Sequence, residues 1–127
     1  PPESVHALDL DALRQPDVSF WTAWQGADLL GCGALKMLDP AHGEIKSMRT
    51  ADGQRRRGVA QLVLQHILVH AQARSLRRVS LETGSQPQFL PARRLYERAG
   101  FTVCAPFGAY VDDPNSVFMT LALAQPR

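Results

Sequence analysis

Cysteine is scarce. The 127 residues hold two, Cys32 and Cys104, far apart and in no Cys-x-x-Cys pair. That excludes a disulfide framework and a structural zinc site read from spacing. Two buried free thiols are expected instead, in keeping with a reducing cytoplasm. Long apolar runs are also missing. The most apolar stretch, Val59 to Ala71, is interrupted by Gln61, Gln65, His66 and His70, well short of the roughly 18 residues a membrane span needs. No signal peptide, internal repeat, linker or low-complexity tract is visible, and the first residues are Pro1-Pro2-Glu3 rather than Met, so the natural N-terminus is expected upstream. Lysine is nearly absent, with 2 against 12 arginines.

What remains is an ordinary globular composition, 45% hydrophobic and 20% charged, with a length that suits one domain over 1–127. The formal net charge of +2 conceals an uneven distribution. From Arg55 to Arg98 there are nine arginines and two acids, Glu82 and Glu97, a local net of +7, while the rest of the chain carries −5. Such an excess points to a compact anionic ligand on one side, although most of these arginines read as solvated helix faces.

Hydrophobic periodicity gives the order of elements. Asp9 to Gln15 reads as a short helix stopped by Pro16. Val18 to Trp24, Leu29 to Leu38 and Glu44 to Thr50 read as strands of an antiparallel meander, with turns at 25–28 and 39–43. Plain alternation along the third strand would place Glu44 on one side with Lys46, Met48 and Thr50, and along the first would put Trp21 and Trp24 on opposite faces. Gly58 to Arg74 carries a broad helical stripe, Val59, Leu62, Val63, Ile67 and Ala71, suited to lying flat on a sheet. Arg78 to Thr83 alternates as a strand, 84–89 is a loop, and Leu90 to Ala99 is a short helix ended by Gly100. Phe101 to Ala105 and Val117 to Leu123 complete a mixed α/β sheet, joined by a long loop.

Two segments carry chemistry. Arg55-Arg56-Arg57-Gly58-Val59-Ala60 lies between a strand and a helix start, where unpaired backbone N–H groups and a partial positive charge favour a diphosphate. Small residues at 58 and 60 allow close approach. No Gly-Lys-Ser/Thr follows, so this is no P-loop. The second segment is Ala92-Arg93-Arg94-Leu95-Tyr96-Glu97-Arg98-Ala99-Gly100-Phe101. Together they resemble the GNAT superfamily of N-acetyltransferases. Arg55, Gly58 and Ala60 match its Gln/Arg-x-x-Gly-x-Gly/Ala motif, and Ala92, Leu95, Tyr96, Gly100 and Phe101 match its later helix. The resemblance spans about residues 18 to 123. Two features depart from the pattern: the usual first strand and long helix are absent, and Phe89 stands where many members have Asn.

The resemblance implies a GNAT-like sheet, mostly antiparallel with flanking helices and splayed at the acetyl-CoA strands, and acetyl-CoA as acetyl donor without a metal. Pantetheine would pair with the backbone of Met48, Arg49 and Thr50, and the diphosphate would sit on Arg55, Arg56, Arg57, Gly58, Val59 and Ala60. Tyr96 is implied as the general acid that protonates the departing CoA thiolate, set against a purely packed ring. Glu44, eleven residues before Arg55, matches the offset of the catalytic glutamate in the family's histone acetyltransferases, and the opposing reading is a strand-end surface carboxylate. Glu82 is the alternative base or an amine-binding carboxylate. Phe107 and Tyr110, in the long loop, are expected either to line the acceptor site or to anchor that loop. His66 and His70 lie four apart on a helix with no third ligand, so they carry no metal expectation. The expected activity is transfer of acetyl from acetyl-CoA to a small-molecule amine in a ternary complex, in the cytoplasm, without nucleic acid or membrane partners and with a homodimer as an option. The alternatives are a non-catalytic acyl-CoA-binding module and a peptide or protein N-acetyltransferase. Aromatic residues do not interleave with the arginines, which argues against a nucleic-acid platform.

Overall fold

The computed structural model describes residues 16–51 and 58–124. The expected helix at 9–15 and the arginines at 55, 56 and 57 lie outside the described residues. The elements are β1 (Val18–Gln25), β2 (Asp28–Asp39), β3 (His42–Thr50), α1 (Val59–Ala73), β4 (Arg78–Gly84), a 3-10 turn (Pro87–Phe89), α2 (Leu90–Arg98), β5 (Thr102–Cys104) and β6 (Ser116–Ala122). They form one six-stranded sheet in the order β1-β2-β3-β4-β6-β5. The meander β1-β2-β3 is antiparallel, β3 and β4 are parallel, and β4-β6-β5 is antiparallel again. The one parallel pair is what the crossover through α1 dictates.

Both helices cover the same face. Leu35, Ile45, Val79, Leu81 and Met119 from the strands meet Val63, Leu64, Ile67 and Ala71 of α1, with Tyr96 of α2 and Phe101 beyond it, in one continuous core. The helices end as their sequences require. After α2, the amide of Phe101 donates to the Tyr96 carbonyl and that of Gly100 to the Glu97 carbonyl, with Gly100 at φ 105°. This left-handed stop suits glycine and drops Phe101 into the core. Among the described residues no helix is long and apolar enough to cross a membrane.

Strand boundaries follow the sequence with two differences of consequence. First, β3 starts at His42, because the Asp39 Oδ1 accepts the Ala41 amide at 2.7 Å and closes a shorter turn. Second, the pairing of β2 with β3 slips between Cys32–Arg49 and Ala34–Lys46, and Ser47 sits at φ 57°. Gly33 thus opposes two residues, a β-bulge. The bulge reverses the alternation. Lys46 keeps the face of Glu44, but Met48 and Thr50 turn to the helix face, so the four residues do not share a side. The Met48 sulfur lies beside Val63 and Ile67 over Gly33. The pairing of β1 with β2 also slips at Ala23/Trp24, yet Trp21 and Trp24 keep opposite faces: Trp21 packs edge-on to His70 of α1 at 4.9 Å, while the exposed Trp24 donates its indole N–H to Thr22 Oγ1 at 2.8 Å.

Gly33 is where the sheet and α1 come closest. A Cβ there would lie 2.6 Å from the Met48 sulfur, 2.8 Å from Val63 and 2.9 Å from Ile67. Gly33→Ala is expected to push α1 off the sheet at a cost of about 1–3 kcal/mol, lowering the calorimetric Tm by several degrees. An unchanged Tm would mean that α1 does not seat on Gly33.

Candidate active site

The site begins where the sheet opens. β3 and β4 pair in only four positions, from His42–Arg78 to Ile45–Leu81. Beyond Ile45 the strands part: β3 continues to Thr50 against β2, and β4 continues to Gly84 against β6. Past Ile45, β3 therefore has no register pair with β4. Met48, Arg49 and Thr50 lie along that part of its edge. Such an edge can accept an extended, amide-bearing ligand as an added strand.

At the far end of the opening stands the N-terminus of α1. Gly58 is its N-cap residue, at φ 77°, with no side-chain cap, and the first turn holds no acid. The Gly58 carbonyl accepts the amide of Leu62 at 3.0 Å, so the amides of Val59, Ala60 and Gln61 have no carbonyl inside the helix to pair with. A Cβ at Gly58 would meet nothing within 4 Å, so the glycine supplies the left-handed turn and leaves open space beside those amides. The Val59 side chain is buried in the core, so Val59 can serve an anion only through its backbone.

Tyr96 and Glu44 occupy opposite faces of the sheet. Tyr96 lies on the helix face, 6% exposed, with its ring edge-on to Phe101 at 5.8 Å. Burial pushes its phenol up to about 12, so it holds its proton throughout the neutral range. Glu44 is on the other face and is buried at 4% exposure, not a surface carboxylate at a strand end. The Tyr110 hydroxyl donates to its Oε2 at 2.6 Å. Tyr110 is itself packed against Phe107 at 5.2 Å and Phe118 at 5.4 Å, and Phe107 also touches the His42 ring at 5.8 Å. Phe107 and Tyr110 thus both anchor the long loop and cover Glu44. Glu82 lies on the same face, exposed, and its Oε2 accepts the Ser116 hydroxyl at 2.5 Å.

Sequence reasoning passed over several polar residues beside this site. His42 Nε2 and Ser80 Oγ are hydrogen-bonded at 2.7 Å, Ser80 Oγ and Thr120 Oγ1 at 2.9 Å, and Arg78 donates to Thr120 Oγ1 at 2.9 Å. Burial holds the His42 ring below the ordinary histidine range, opposed by the nearby Asp39. The signal was the even-numbered alternation His42, Glu44 and Arg78, Ser80, Glu82, which marks a polar face on strands that look central. On the opposite wall the Phe89 ring packs on Gly84, where a Cβ would collide with it, and Arg93 donates to the Gly84 and Gln86 carbonyls. Phe89, the departure from the family pattern, thereby packs the β4–α2 loop. Among the described residues no group of three His, Cys, Asp or Glu could hold a metal ion.

Comparison with known proteins agrees with this geometry. Residues 1–101 match the model of the acetyltransferase (GNAT) family. The chain is 60% identical over 123 residues to the uncharacterized N-acetyltransferase YsnE of Bacillus subtilis (strain 168), covering 97% of this chain and 82% of that protein. It is 55% identical over 125 residues to the uncharacterized N-acetyltransferase YedL of Escherichia coli (strain K12), covering 98% and 79%. A crystal structure of a Bacillus subtilis acetyltransferase in complex with CoA superposes with a TM-score of 0.76 at 19% identity, covering 98% of this chain and 93% of that one, a likeness of fold. With a sheet that parts between β3 and β4, an unpaired helix N-terminus beyond the gap and these relatives, the chain belongs to the GNAT family and is an acetyl-CoA-dependent N-acetyltransferase.

Proposed function

We propose that the enzyme transfers the acetyl group of acetyl-CoA to the amine of a small molecule by direct attack in a ternary complex. The observation that carries this reading is that the parallel pairing stops at Ile45–Leu81, one residue past the buried Glu44. Pantetheine runs along the Met48–Thr50 backbone, and an amide there polarises the thioester carbonyl. The diphosphate rests on the amides of Val59 and Ala60 beside Gly58, with Arg55, Arg56 and Arg57 supplying charge. Glu44 takes the proton of the attacking amine, directly or through water. Tyr96, on the helix face, gives its proton to the departing thiolate. Glu82 offers a second carboxylate to a cationic acceptor, and Phe107 and Tyr110 bound the acceptor space. The loop that carries them closes over Glu44, which favours a compact acceptor over a folded protein.

The donor half is tested by Gly58→Asp, which sets bulk and like charge against the diphosphate. Its melting temperature is expected to gain far less from CoA than that of the parent. An equal gain would move the diphosphate elsewhere.

The acid and base are tested by kinetics. Tyr96→Phe keeps the packed ring and loses the donor, so kcat is expected to fall roughly 10²-fold with CoA affinity nearly unchanged. Because the phenol titrates only near 12, the parent's kcat should show no loss from this group as pH rises to about 10. Glu44→Gln should cut kcat/KM most at low pH, where the amine is protonated and needs a base, and recover toward the parent at high pH. A Glu44→Gln enzyme with the parent's pH profile would remove Glu44 from the mechanism.

A further inference from the structure

Glu44 is a buried carboxyl group with no ion-pair partner among the described residues. Tyr110 is its one hydrogen-bond partner among the described residues. Lys36 lies opposite it across the β2–β3 pair, and His42 and Lys46 flank it on β3, yet no ion pair joins Glu44 to any of them. From β4, Ser80 is its neighbour in register, with Arg78 and Glu82 on the same face, and Arg78 is turned to Thr120. A buried carboxylate without a cation is costly unless a donor holds it. The phenol is that donor.

The two carboxylate oxygens are not equivalent. Oε2 is taken by the Tyr110 hydroxyl. Among the described residues Oε1 has no hydrogen-bond partner.

Tyr110 is held firmly enough to serve this role. Its ring meets Phe107 and Phe118, its amide donates to the Phe107 carbonyl at 3.1 Å, and Gly108 at φ 58° makes the turn between them. Burial and the carboxylate it faces push its phenol well above the ordinary tyrosine range, so it donates and does not ionise.

We propose that Tyr110 is the positioning residue of Glu44: its hydroxyl fixes Oε2, leaving Oε1 to receive the amine's proton. This rests on Glu44 as the base. The step balances simply. The amine's proton moves to Oε1, the Tyr110 O–H bond is kept, and the proton leaves Oε1 to solvent after transfer.

The test uses the whole chain labelled with [13Cδ]glutamate. Only four glutamates are present, Glu3, Glu44, Glu82 and Glu97, and Glu44→Gln identifies the signal of interest. Tyr110→Phe removes the donor and keeps the ring contacts. Without a donor to the charged form, the Glu44 titration midpoint is expected to rise by about one pH unit. The acidic limb of kcat/KM, measured with acetyl-CoA and the amine that turns over fastest in a screen, should move upward by the same amount. KM for acetyl-CoA should stay unchanged, and in the Glu44→Gln background Tyr110→Phe should cause no further shift. If Glu44→Gln alters the pH profile but Tyr110→Phe moves neither midpoint nor limb and only raises KM for the amine, Tyr110 lines the acceptor space and the positioning role is overturned. A rise in kcat would make it an obstructing cover, which also overturns it. If Glu44→Gln leaves the pH profile unaltered, the base reading itself fails, and a midpoint shift in Tyr110→Phe would then mark the contact as a loop anchor.

Discussion

The early end of the parallel ladder between β3 and β4 is the constraint on which everything else rests. Four paired positions hold the two halves of the sheet together, and the next residues diverge. The cause lies next to the last pair. Ser47, two residues past Ile45, takes a left-handed conformation and bulges the strand against Gly33. A bulge bends its strand and raises the local twist, while β4 stays committed to β6 as far as Gly84. On the proposed binding mode, an acyl-CoA strand would meet a backbone edge that the bulge has already set apart.

The same bulge divides labour between the faces. Ahead of it, Ile45 faces the helices and Glu44 the opposite side. Behind it, Met48 and Thr50 have joined the helix face. That face is apolar and closed, suited to holding the Tyr96 phenol neutral. The opposite face carries His42, Glu44, Ser80, Glu82 and Thr120, with the rings of Phe107, Tyr110 and Phe118 clustered beside His42 and Glu44. The Tyr96 phenol, kept protonated by burial, and the Glu44 carboxyl, held by the Tyr110 hydroxyl, thus lie on opposite sides of the sheet. On the proposed mechanism the two proton transfers would run on those two sides.

Much of this was legible in the sequence. The turn residues and alternating strands gave the meander, the stripe from Val59 to Ala71 gave α1, and Gly100 gave the end of α2, because each depends on local backbone preference. Arg55, Gly58 and Ala60 with Leu95-Tyr96 and Gly100-Phe101 pointed to the family through their separation. The bulge was legible only in part: Gly31 and Gly33 in the second strand mark a close approach or a bulge, but nothing local to β3 names Ser47 as the residue that takes the left-handed conformation. The burial of Glu44 was hidden, since its cover comes from Tyr110, sixty-six residues later. Side-chain faces inferred past the bulge therefore came out reversed, while those before it were right.

The central claim is that the edge of β3 past Ile45, where it parts from β4, is the acyl-CoA slot. The most direct measurement is residue-resolved amide hydrogen exchange with and without CoA. The claim predicts that amides within Met48–Thr50 and at Val59 and Ala60 become strongly protected, while the paired amides of Glu44 and Ile45 change little. Protection of other strands, with Met48–Thr50 exchanging as before, would contradict it.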